Sequence, residues 1–128
     1  MKELLKTLCA LNGVSGDEDQ VREFLAERAR PWARSMKVDP LGNLIVFKKG
    51  AKSTGNKLML CAHMDSIGFI VTPMEKEGFL RVGKLGGVAP QEILYTPVRF
   101  QNGVRGVVVK EEKASFSKLK LDECYLDI

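Results

Sequence analysis

Leu58-Met59-Leu60-Cys61-Ala62-His63-Met64-Asp65 is the stretch on which the reading of the fold turns. Its first five residues are a continuous apolar run of strand length, the pattern of a strand buried on both faces in an α/β sheet. His63 and Asp65 stand where that run ends. On an extended segment, residues i and i+2 project to one face, so imidazole and carboxylate converge while Met64 packs behind. The carboxyl ends of strands in open α/β sheets are where ligands bind. Two roles suit the pair: both side chains hold a metal, or His63 holds it while Asp65 orients the ring. A plain hydrogen-bonded pair is the alternative, because a catalytic zinc needs about three protein ligands and this chain has one histidine.

Upstream, Leu4, Leu5, Leu8 and Leu11 recur at helical spacing and predict a short amphipathic helix over 1–11. Asn12-Gly13 stops it. Ser15-Gly16-Asp17-Glu18 reads as a capping box, with Ser15 and Glu18 satisfying each other's amides. Behind it Val21, Phe24, Leu25, Ala29 and Trp32 predict a buried helical stripe. Pro31 ends or kinks this helix near Arg30, leaving Trp32 to cover its base. Met36 to Val38 and Leu44 to Phe47 read as a hairpin around Asp39-Pro40-Leu41-Gly42-Asn43. Lys48 to Asn56 reads as a polar loop.

After Asp65 the composition changes to short apolar segments: Ile67 to Val71, Phe79 to Val82, Val98 to Phe100 and Val104 to Val109. Glu77-Gly78, Gly86-Gly87, Pro90, Pro97 and Asn102-Gly103 separate them, which suggests a small barrel or sandwich. Asn102-Gly103 is the best two-residue hairpin signal. Lys110 to Lys120 reads as a polar loop and Cys124 to Ile128 as a further strand. A natural domain seldom stops inside an apolar strand, so the expectation is a truncated chain.

Composition excludes several classes. The chain has 128 residues, 45% hydrophobic and 28% charged, as in ordinary globular proteins and unlike disordered or collagenous ones. No apolar run approaches the ~18–20 residues of a membrane span, and the N-terminus lacks a signal-peptide pattern. Three well-separated cysteines suggest reduced thiols and a cytoplasmic location. The net charge of +4 is spread over mixed signs, so a nucleic-acid partner is not expected. Nucleophile-elbow, phosphate-loop and dinucleotide signatures are absent. Ser66 has no second histidine as its base. Cys61 reads as inert core, and Phe69, Phe79 and Phe100 read as core aromatics.

The segments GVSGDE, VREFL, VDPLGNLIV, LMLCAHMDSIGFIV, GFLRVGKLGGV and CYLDI, taken in order, resemble the N-terminal part of the tetrahedral (glutamyl) aminopeptidase family. These are two-metal peptidases, some of them labelled cellulases or endoglucanases. The resemblance implies an α/β catalytic domain with an inserted β-barrel (PDZ-like) domain. Residues 1–69 would be the N-terminal part of the catalytic domain, 70–121 the inserted dimerisation or lid domain, and 122–128 a strand re-entering the catalytic layer. It further implies His63 as the first metal ligand, Asp65 as the catalytic carboxylate that orients it, and two divalent ions, zinc or cobalt, in the intact enzyme. Peptides are the implied substrates, and dimers assembling into a dodecamer the implied oligomer. The bridging Asp, the Glu-Glu pair, a further acidic ligand and the last His of the family pattern have no counterpart in these 128 residues. Alone, the chain is therefore expected to be inactive and to hold at most one ion weakly. The Lys110–Lys120 loop also lacks a Pro-Pro-His element common in relatives. The competing expectation is a non-catalytic assembly or peptide-binding module built on the β-rich segment.

Overall fold

In the computed structural model, which describes residues 1–51, 55–75 and 78–128, the chain divides into two units, Met1–Asp65 and Ser66–Ile128. The middle of the expected 48–56 loop and half of the expected Glu77-Gly78 turn lie outside the described residues.

The first unit holds helices α1 (Lys2–Ala10) and α2 (Asp19–Ala29), a 3-10 turn at Arg30–Trp32, and strands β1 (Ser35–Val38) and β2 (Leu44–Phe47). The strands pair antiparallel from Ser35↔Phe47 to Val38↔Leu44, the hairpin expected from sequence. Asp39 builds its turn. The Asp39 carboxylate accepts the amide N–H of Leu41 at 3.0 Å, that of Asn43 at 2.9 Å, and the Asn43 side-chain amide at 2.9 Å. Bonds to the charged form favour it, and the Asn43 contacts, side chain first, hold the carboxyl below its ordinary 3.8. A lowered folded-state value contributes stability that is complete above the unfolded value and disappears as pH falls through the lower one. Acid titration should therefore shift the Leu41 and Asn43 amide signals with a midpoint below 3.8. A midpoint at or above that value contradicts the turn geometry.

The buried stripe expected on α2 is largely absent. Val21 is 6% exposed, but Phe24 and Leu25 are half-buried. Trp32 is 67% exposed, with the Lys48 ammonium 5.2 Å from its ring centre. A helical stripe is buried only where a second layer covers it, and within this unit α2 meets chiefly the adjoining Arg30–Trp32 turn and β2. The same reasoning corrects the Leu58–Ala62 expectation. These residues form no strand, and Leu58, Met59 and Leu60 are all exposed. A strand buried on both faces needs partners on both edges, and among the described residues none pairs with it. Cys61, expected in the core, is likewise exposed.

The second unit is an antiparallel sheet of β3 (Gly68–Met74), β4 (Leu80–Leu85), β5 (Pro97–Arg99), β6 (Arg105–Lys110) and β7 (Cys124–Asp127). Its spatial order is β3-β4-β7-β6-β5. Alternation sends Leu80 and Val82 of β4, Val108 of β6, and Cys124 and Leu126 of β7 to one face, where Leu119 covers them. Phe69 and Phe100 pack against this core as expected, whereas Phe79 stacks on Tyr125 with ring centres 4.6 Å apart. On the other face Arg81 donates to Glu75 at 2.8 Å, Glu111 at 2.6 Å and the Cys124 carbonyl at 3.2 Å. These two carboxylates, Glu75 first, raise the guanidinium's already high pKa.

Three expectations change here. Residues 122–128, read as leaving this layer, contribute β7, which lies between β4 and β6. The segment from 110 to 120 is more than a polar loop, since Leu119 is 4% exposed and Ala114 also packs on the core. The Asn102-Gly103 hairpin closes through a longer loop, with Phe100 and Val104 bonded at 2.8 Å and Val104 N–H capped by Asn102 at 3.1 Å. A single-turn helix, α3 (Pro90–Ile93), had no sequence expectation.

Candidate active site

His63 and Asp65 meet as the i, i+2 argument requires, although the segment carrying them is not a strand. The His63 Nδ1 lies 2.9 Å from Asp65 Oδ1 and 3.0 Å from the Asp65 carbonyl oxygen. Both partners are acceptors, so the network places the neutral ring's proton on Nδ1. Nε2 then carries the lone pair, and the His63 side chain is 85% exposed. Asp65 is half-buried, and its second oxygen is taken: Ser15 Oγ donates to Oδ2 at 2.5 Å. This length is typical of a hydroxyl donating to a carboxylate. Ser15, then His63, hold the Asp65 carboxyl below its ordinary 3.8.

Sequence reasoning missed Ser15 by giving its hydroxyl to the helix. The structure starts α2 at Asp19 with Glu18 as N-cap and no side-chain cap bond. Glu18 Oε1 accepts the N–H of Gly16 at 2.7 Å, one residue later than a capping box requires. The box is therefore corrected to a local turn: Val14 and Asp17 form a bridge, Asp17 N–H donates to the Val14 carbonyl at 2.8 Å, and Gly16 takes φ +90°. A left-handed residue is cheap only as glycine. At the tip of that turn the Ser15 hydroxyl is released toward Asp65.

As a metal ligand, neutral His63 fits. Among the described residues its Nε2 has no hydrogen-bond partner, and a carboxylate on the opposite nitrogen is the usual partner of ligating histidines. It fits as one ligand only, because among the described residues no group of three or more His, Cys, Asp or Glu side chains could hold an ion. Cys61, two residues before His63, joins no such group.

The chain belongs to the M42 glutamyl aminopeptidase family, whose profile matches residues 42–128. A protein of Acetivibrio thermocellus proposed to be an aminopeptidase is 44% identical over 129 residues, covering 100% of this chain and 38% of its own. The lysyl aminopeptidase of Pyrococcus furiosus is 34% identical over 137 residues, covering 98% and 39%. Among solved structures, an aminopeptidase of the archaeon Desulfurococcus kamchatkensis superposes with TM-score 0.84 at 35% identity, over 98% of this chain and 36% of that one. The chain thus spans under two-fifths of the length of these relatives. Its mixed helix-and-strand fold, with a curled antiparallel sheet, resembles the corresponding part of the TET aminopeptidases. No described helix is long and apolar enough to cross a membrane.

Proposed function

We propose that these residues form the opening part of a metal-dependent aminopeptidase that releases N-terminal residues from peptides, with His63 as one ligand of a two-metal centre. The observation that carries the reading is the His63 ring, its proton held on Nδ1 by Asp65 and its Nε2 bare. Zinc or cobalt are the ions that the family resemblance implies, and an imidazole nitrogen suits zinc. Such an ion pair, when bound, supplies an activated water and a polarised carbonyl. The chain's own contribution is narrower. Asp65 fixes the tautomer and the ring plane, leaving the Nε2 lone pair available to an ion. With one histidine in 128 residues and no described cluster of three ligating side chains, a two-metal centre needs ligands that these residues do not bring together.

On this reading Met1–Asp65 contributes to a catalytic α/β layer, and Ser66–Ile128 is the inserted PDZ-like domain. The protein works in the cytoplasm as a homo-oligomer. The TET1 peptidase of Pyrococcus horikoshii, 30% identical with TM-score 0.80 over 98% of this chain and 39% of that one, assembles into a tetrahedron or an octahedral shell, which supports the oligomer. The test is release of nitroaniline from aminoacyl nitroanilides by the protein expressed from its whole gene. Hydrolysis that a chelator abolishes and zinc or cobalt restores is expected. Hydrolysis indifferent to chelator overturns the metal assignment, and none with any aminoacyl substrate overturns the peptidase.

A further inference from the structure

We propose that Ser15 is a positioning residue for His63, acting through Asp65. The inference rests on the reading of His63 and Asp65 given above and extends it to a residue fifty positions away in sequence. Each carboxylate oxygen of Asp65 has its own donor: Oδ1 takes His63 Nδ1–H at 2.9 Å and Oδ2 takes Ser15 Oγ–H at 2.5 Å. The terminal torsion of an aspartate is broad and soft, and Asp65 is 39% exposed, so water competes for either oxygen. With one donor the carboxylate can rotate away from the imidazole; with two on opposite oxygens its plane is set. Ser15 is fixed for the task. The Val14–Asp17 turn and the Glu18 bond to Gly16 hold its backbone, and Asn12 N–H donates to Gln20 Oε1 at 3.1 Å. The loop also sits tightly: a β-carbon on Gly13 would fall 2.6 Å from Val21 Cγ2 and 3.8 Å from the Met64 carbonyl oxygen. The loop between α1 and α2 is therefore packed against the segment that presents His63.

A purely structural stitch between loop and segment predicts lost stability and nothing more; positioning predicts a change in the ring itself. Because the chain has one histidine, long-range proton–nitrogen spectra of the labelled 128-residue chain show a single imidazole. With the ring neutral, the wild type should show the Nδ1–H tautomer. Ser15→Ala should raise the Nε2–H to Nδ1–H ratio about fivefold, the effect of losing one ordinary hydrogen bond. Ser15→Thr should restore the wild-type ratio. Ser15→Cys, nearly isosteric and a weak donor, should fall between, and it keeps the test alive if the alanine variant unfolds. A wild-type ratio in folded Ser15→Ala, or in Ser15→Cys, overturns the proposal. Added zinc separates the two readings. If Nε2 is unmoved even by excess zinc while the ratio follows Ser15, the ligand reading loses its support in this chain but Ser15 still positions the ring. If Nε2 moves and the ratio ignores Ser15, the ligand stands and the positioning role falls.

Discussion

Leu126→Ala is expected to remove about 2–5 kcal/mol from the stability of the Ser66–Ile128 unit, the range for truncating a buried leucine. Leu126 is 2% exposed and lies at the crossing of the sheet, opposite Val108 on β6 and Leu80 on β4. Both partners are themselves core residues, so the vacated volume cannot be filled from an edge. A unit near 60 residues has little stability to spare, and a loss of 2 kcal/mol should already lower amide-exchange protection in β6 and β7 about 30-fold. Val107→Ala is the control. It sits on β6 beside Val108 but points to the other face, 37% exposed, and should cost under about 1 kcal/mol. Equal effects of the two substitutions would show that the core lies elsewhere.

How much of this was legible in the sequence depended on whether the deciding contact was local. The β1–β2 hairpin was readable because its turn is closed within five residues by Asp39. The second unit's strands were readable because alternation and Gly, Pro and Asn punctuation are local too. Their order was not: β7 inserts between β4 and β6 through pairings separated by up to 46 residues, as in Leu80↔Leu126, and nothing local encodes them. Leu58–Ala62 misled for the complementary reason. An apolar run reports that a segment suits a covered position, yet covering it takes partners that the run does not name. At the site, the His63–Asp65 pairing was legible from i, i+2 geometry. Ser15 was hidden because a serine three residues before a glutamate satisfies a strong local rule, and the longer-range bond to Asp65 won.

His63→Ala should reduce kcat/KM of the protein expressed from its whole gene by more than about 100-fold. The scale follows from the proposed roles: changing a group that merely orients a ligand costs about 10–100-fold in metal affinity or activity, so on that proposal deleting the ligand itself costs more. Asp65→Asn belongs in that lower range. Its amide oxygen can still accept from Nδ1, but the carboxylate's negative charge beside the ring is gone. Unfolding does not confuse the comparison, because the His63 side chain is 85% exposed and exposed substitutions rarely move stability beyond ±0.5 kcal/mol. The ranking of the two variants is the decisive result. A larger loss in Asp65→Asn than in His63→Ala would make the carboxylate the ligand and the imidazole its accessory, reversing the proposed roles.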